Sequence, residues 1–129
     1  MSVRGIRGAI TVEANEEQQI LDATGQLLKG IVEVNGIVPE DIACVFVTVT
    51  QDLDAAFPAR AIRELAGWER VPLMGSVEMA VKGGLERCVR LMVLVNTDKA
   101  QSDIRHVYMG GAQVLRPDLL NNRDDFFAR

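Results

Sequence analysis

Apolar positions follow two different rhythms along the chain, a period of two in short runs and a period near 3.6 in one long stretch. In Val3–Val12, Val3, Gly5, Arg7, Ala9 and Thr11 share one face and Arg4, Ile6, Gly8, Ile10 and Val12 the other, as in a strand. Asn15 is placed to cap a helix, with Gln18 three residues on as its capping-box partner. The stripe Ile20, Leu21, Thr24, Leu27, Leu28, Ile31 and Val32 marks one face of that helix. Gly36 suits its C′ position, and Pro39 blocks continuation. Ile42–Thr50 predicts a second buried strand, Gln51–Asp54 a polar loop, and Pro58 the first turn of a short helix ending by Gly67. Arg70–Leu73 predicts a short strand broken by Pro72, and Ser76–Val81 alternates like another; Gly83-Gly84 then turns the chain. After the strand that starts at Cys88 and ends near Asn96, Thr97–Asp103 is a polar connection with room for one helical turn. Ile104–Met109 returns to strand, with His106 and Tyr108 on one side, until Gly110-Gly111 interrupts it. Ala112–Leu115 is expected to resume extended structure and Pro117 to end it. The expectation is one domain over residues 1–120 and a mobile polar tail over 121–129, with no internal repeat.

One position breaks the pattern. Arg90 lies within the apolar, β-branched run Cys88–Val95, on a face shared with Cys88, Met92 and Leu94. A guanidinium cannot shed its proton to escape burial, so it requires an anion. No acidic residue lies within the run, and the nearest before it is Glu86. The anion comes from elsewhere in the protein or from a ligand. Arg7 has small neighbours, Gly5 and Ala9, on its own strand face, which leaves the space a pocket needs; a solvated strand-end arginine is the alternative. Arg60 and Arg63 share a face of the short helix, where surface ion pairs with Asp54 or Glu64 are equally open.

Composition narrows the classes of function. A formal charge of −4 excludes general nucleic-acid binding. Of the 14 basic residues, 11 are arginine, the side chain suited to two-point recognition of carboxylate or phosphate. The two cysteines, Cys44 and Cys88, form no CxxC pair and read as buried free thiols. Met1–Gly5 lacks the apolar core of a signal peptide, and no run approaches the ~20 residues a bilayer span needs. The expected setting is the cytoplasm, with no membrane partner.

Much familiar chemistry is missing. His106 is the single histidine; no acidic residue is placed to orient it and no serine sits in a nucleophile elbow, so it reads as a packing residue. No His/Cys cluster has metal-ligand spacing, and no phosphate loop, flavin or nicotinamide fingerprint is present. What remains is Arg7, Arg60, Arg63, Arg90 and Arg116 as anion binders, Tyr108 as a donor and Glu78 as an acceptor. Such a set suits catalysis by positioning and by stabilising charge that appears only at the transition state.

The stretches RGIRGAITVE at 4–13, AFPARAIRELAGW at 56–68, VEMAVKGGL at 77–85, CVRLMVLVNTD at 88–98, RHVY at 105–108 and VLRPDL at 114–119 occur in one order across nearly the whole chain. Together they resemble the monofunctional AroH-type chorismate mutases. The resemblance implies an α+β fold, a mixed sheet with helices packed on one side, and a homotrimeric pseudo-barrel with active sites at the subunit interfaces. It implies no cofactor and no metal, with chorismate as substrate and rearrangement to prephenate, in aromatic amino-acid biosynthesis, as reaction. On matched positions, Arg90 faces the ether oxygen, Arg7 clamps a carboxylate with help from Tyr108, and Glu78 accepts from the ring hydroxyl. Phe57, Ala59, Leu73, Met74 and Leu115 form apolar walls. Arg60 and Arg63 approach from a neighbouring subunit, and Arg116 lies near the mouth. Gly75 and Met74 stand where some members carry cysteine and threonine, which alters contacts near the substrate hydroxyl. One long helix and one short one are also little cover for a strand such as Ile42–Thr50, apolar on both faces. Rival readings are an imine deaminase of the RidA type, also trimeric with an interfacial arginine, and a carboxylate-binding module without turnover.

Overall fold

The structure, a computed structural model, describes residues 1–115. Arg116, Pro117 and the expected tail over 121–129 lie outside the described residues. Among the described residues five strands form one mixed sheet: β1 (Ser2–Thr11), β2 (Ile42–Val49), β3 (Leu73–Val77), β4 (Cys88–Thr97) and β5 (Val107–Met109), in the order β3-β2-β4-β1-β5. Two α-helices, α1 (Glu17–Asn35) and α2 (Ala59–Arg63), are the crossovers that make β1 and β2 run the same way and β2 pair in parallel with β3. β4 enters the slot left between β1 and β2 and pairs antiparallel with both.

The period-two pattern decides which face is covered. Ile6, Ile10, Val45, Val47, Val89, Leu91, Val93 and Val95 are buried in one core with Ile20, Leu27, Leu28 and Ile31 of α1. Each such aliphatic side chain contributes about 1.5–3 kcal/mol by leaving water. Gly8 lets α1 settle close, because a Cβ there would stand 2.7 Å from Cδ1 of Ile31. α2 joins the same side through buried Ile62. The opposite face, with Met92 and Leu94 half-buried and Phe46 42% exposed, has no α-helix over it among the described residues; the 3-10 helix after β5 covers only the end at Ala9 and Tyr108.

Several expectations needed correction. Asn15 does not cap α1; Glu16 occupies the cap without a side-chain hydrogen bond. Asn15 Oδ1 instead accepts the amides of Asp54 and Ala55, at 3.1 and 3.0 Å, and latches the β2–α2 loop to the helix start. Gln18 donates to Asp22. In place of the two strands expected over Arg70–Leu73 and Ser76–Val81 there is one, Leu73–Val77, because β3 has only β2 to pair with and β2 ends at Val49. Pro72, with no amide to donate, precedes this edge strand, and its carbonyl accepts from Val45. β5 is shorter than Ile104–Met109, since it pairs only with Gly8–Ile10. Gly110–Val114 is a 3-10 helix, so the extended structure expected over Ala112–Leu115 does not form. Gly110 takes φ 59, and the Gly111 amide donates to Thr11 Oγ1 at 2.9 Å, so the chain curls under itself and buries Ala112. Gly36 holds the expected left-handed position at the end of α1, φ 60, with its amide on the Val32 carbonyl.

Asn35, almost fully buried at the last turn of α1, ties the helix to the segment entering β5. Its Nδ2 donates to the carbonyls of Ile31 and Arg105, and its Oδ1 accepts the Arg105 amide, all at 2.9 Å. Truncation strands buried backbone groups, so Asn35→Ala is expected to cost about 1–3 kcal/mol. Urea titration checks this, as a lower midpoint with unchanged slope.

Candidate active site

Strand register builds the site on the uncovered face. Directly opposed residues in neighbouring strands share a face, so one row across the sheet reads Tyr108, Ala9, Arg90, Thr48, Ser76. The next row reads Arg7, Met92, Phe46, Met74. Arg90 stands mid-sheet between two small side chains, Ala9 and Thr48. Arg7 occupies the diagonal position on β1, a spacing of about 7–8 Å. Two guanidinium-bearing residues therefore rise from one patch of sheet.

Arg90 is less enclosed than its apolar run implies: its side chain is 35% exposed, since the face it occupies is the open one. It also has an acidic neighbour that its strand does not supply. Glu78, just past β3, is held by its amide on the Val49 carbonyl at 2.8 Å, and its Oε1 lies 3.5 Å from the Arg90 guanidinium. The Thr48 hydroxyl donates to Oε2 of the same carboxylate. A partly exposed pair at 3.5 Å contributes about 0–1 kcal/mol, little enough for an incoming anion to rearrange. In front of the pair opens a cavity of about 690 Å³, lined by Glu78, Cys88, Arg90, Leu115, Asp52 and the loop between β3 and β4.

Through Cys88, Leu85 and Leu115 the lining joins a small buried cluster, Ala9, Cys88, Tyr108 and Ala112. Burial pushes the Cys88 thiol up to about 11, the nearby Arg90 charge opposing the shift and Glu78 adding to it. Asp52 behaves in the opposite way. Burial nudges its carboxyl up, but hydrogen bonds from the Thr50 hydroxyl, the Arg87 amide and its own amide, with the Arg87 charge, hold it below its ordinary value.

The expected site residues fall into two groups. Glu78, Arg90 and Leu115 line the cavity, while Arg7 and the buried Tyr108 share the sheet face of Arg90. Phe57, Ala59, Arg60, Arg63, Leu73 and Gly75 line a different cavity, of about 780 Å³, against the helix-covered side of the sheet edge. Edge strand β3 divides them: Leu73 and Gly75 share rows with buried Val45 and Val47, while Met74 shares a row with Phe46 on the open face. Phe57 and Met74 are 82% and 66% exposed. Arg60 is engaged by Glu17 at 3.3 Å and Glu64 at 3.6 Å, whereas Arg63 has no ion pair among the described residues.

Two contributors carried no sequence signal. Thr48 reads simply as part of an apolar strand, yet its hydroxyl orients Glu78. His106, read as packing, accepts the Arg7 amide on Nδ1 at 2.9 Å and so fixes the main chain beneath that arginine. Only the parallel pairing of β1 with β5 brings them together. Among the described residues no group of His, Cys, Asp and Glu could hold a metal ion, and no helix is long and apolar enough to cross a membrane.

A family model for chorismate mutase type I matches residues 3–119. The chain belongs to that family. Chorismate mutase AroH of Bacillus subtilis is 52% identical over 119 residues, covering 92% of this chain and 94% of that one. Chorismate mutase AroH of Thermus thermophilus is 51% identical over 118 residues, covering 91% and 96%. The structure of a chorismate mutase from Clostridium thermocellum superposes with a TM-score of 0.83 at 50% identity, covering 85% of this chain and 97% of that chain. A type I chorismate mutase thus carries Arg90 and Glu78 face to face at the cavity, and the deaminase and non-catalytic readings lose their ground.

The buried thiol makes a pH prediction for this chorismate mutase. Its folded value, about 11, exceeds the ordinary 9.0, so between them the folded chain keeps a proton that the unfolded chain releases. Stability therefore falls as pH rises through that window. Denaturation midpoints at about pH 8 and about pH 10.5 should diverge more for the wild type than for Cys88→Ala.

Proposed function

We propose that the chain's chorismate mutase reaction takes place in the cavity before Arg90, in a homotrimer whose sites are completed by a neighbouring copy. In the rearrangement of chorismate to prephenate, the ether C–O bond breaks as a C–C bond forms, and no atom enters or leaves. Bond breaking runs ahead of bond making, so negative charge collects on the ether oxygen. The fixed Arg90 guanidinium stabilises that charge more than the ground state, which lowers the barrier. Arg7, one diagonal step away, clamps a substrate carboxylate with Tyr108 beside it, and Glu78 accepts from the ring hydroxyl. Holding both reacting groups within near-attack reach supplies the rest.

The observation that carries this reading is the opposition of Arg90 and Glu78, 3.5 Å apart, at the head of an open cavity. Arg7 and Arg90 set two guanidinium groups on the same sheet face, one for each carboxylate of a dianion. The division of site residues by β3 supports sharing between subunits: Arg63, Phe57, Ala59, Leu73 and Gly75 cannot meet Arg90 of their own chain across the sheet. The uncovered apolar face supports assembly. Arg63, free of ion pairs among the described residues, is the better arm toward a neighbour's substrate carboxylate, with Arg60 behind it, braced by Glu17 and Glu64. Met74 and Gly75 place an apolar side chain and bare backbone at the edge. The setting is cytoplasmic.

Loss of chorismate absorbance, with prephenate identified by acid conversion to phenylpyruvate, tests the reaction; no product above the uncatalysed rate would defeat it. Arg90→Ala is expected to lower kcat at least ~100-fold, in line with losing one preorganised donor. Mixing Arg90→Ala chains with Arg63→Ala chains, each crippled alone, should restore activity after subunit exchange. Absence of rescue would make each site self-contained.

A further inference from the structure

Three strand ends meet at one residue, Arg87, just before β4. Its φ is 48, the single positive value among the described non-glycine residues, in a region L side chains avoid. Something must hold it there. The Asp52 carboxylate accepts the Arg87 amide at 2.9 Å through Oδ2 and at 3.2 Å through Oδ1. The Thr50 hydroxyl donates to the same carboxylate and accepts the Cys88 amide at 3.0 Å, while the Thr50 amide donates to the Cys88 carbonyl. On the other side the Arg87 carbonyl accepts the Val12 amide at 2.9 Å.

This knot lies at the wall of the cavity that holds Arg90 and Glu78, and Asp52 is part of the lining. Side chains alternate along a strand, so the point where β4 enters the sheet determines which face Arg90 occupies. A slip of one residue would turn Arg90 into the core and Val89 into the cavity. Glu78 hangs from Val49, one residue before Thr50, so the same knot governs both charged partners.

We infer that Asp52 is a positioning residue: by clamping Arg87 in its left-handed conformation it fixes the entry of β4 and so aims Arg90 at the reacting atoms beside Glu78. The inference rests on reading the cavity as the chorismate mutase site. Asp52 itself is given no contact with substrate.

The test compares Asp52→Ala, Asp52→Asn and the double variant Asp52→Ala/Arg87→Gly in the chorismate assay, well below each unfolding temperature. Small displacements at a preorganised site are costly, so Asp52→Ala is expected to lose ~10–100-fold in kcat with a much smaller change in KM. Asp52→Asn keeps an acceptor oxygen and should stay within about fivefold of wild type. Glycine adopts the left-handed conformation without a clamp, so the double variant should recover at least about tenfold over Asp52→Ala. Normal kcat in Asp52→Ala, with only a lower melting temperature, would overturn the inference, as would failure of the glycine to rescue. Amide hydrogen exchange gives a reading independent of turnover: corrected for intrinsic rates, the amide at position 87 should exchange at least about tenfold faster in Asp52→Ala, or in the double variant if the single one does not fold. An unchanged rate there would also overturn it. Should the wild-type chain make no prephenate, the catalytic reading fails separately, and the exchange rates still decide the clamp.

Discussion

A permanent positive charge in the middle of a five-stranded sheet is tolerable here because strand register places it on the face that, among the described residues, carries no α-helix. Ala9 and Thr48 flank Arg90 in its row and give the guanidinium room to rise. The residues before and after it, Val89 and Leu91, are buried in the core and hold the strand so that position 90 points outward. The same alternation fixes Arg7 on β1 and Tyr108 on β5. The site is thus a by-product of sheet geometry: the apolar side chains that hold α1 on one side set the angle of the charges on the other.

Within that frame the electrostatics are deliberately weak in the resting state. Glu78 offers Arg90 a counter-charge at 3.5 Å, which keeps the arginine from standing unpaired, yet solvent reaches both groups. Such a pair resists little when a dianion arrives. The Thr48 hydroxyl and the Val49 carbonyl hold Glu78 in place independently of the arginine. Both partners are therefore anchored by backbone and hydroxyl groups that take no part in the exchange of charge. That is the preorganisation a unimolecular rearrangement needs, since there is no nucleophile or proton to deliver.

Much of this was legible in the residues. The alternation in Val3–Val12 and Cys88–Val95, and the stripe from Ile20 to Val32 closed by Gly36, locate β1, β4 and α1 to within a few residues. The lone arginine in an apolar run picked out a residue that lines a cavity, and the ordered motifs gave the family. What escaped depends on long-range pairing. Glu78 meets Arg90 because β3 pairs with β2 in a register that a local pattern does not reveal. Asn15 has ideal capping chemistry, but loop amides some forty residues away claim its oxygen. His106 supports Arg7 only through a parallel pairing. The segment after Gly110 curls because Thr11 offers its amide a partner from the far end of the chain. Local propensity is a weak guide wherever a distant group satisfies the backbone.

The slot between β1 and β2 has a consequence for how the molecule comes into being. β4 pairs residue 97 with residue 2, among the longest loop closures this chain can make, and it must thread between two partners that lie side by side only after α1 has returned the chain. Contacts of such separation form slowly and late. The strand that bears Arg90 is thus the keystone, seated only when both of its neighbours are in place. A partly assembled chain would possess a helix and a core fragment yet no charged patch, so ligand recognition reports on completion of the fold.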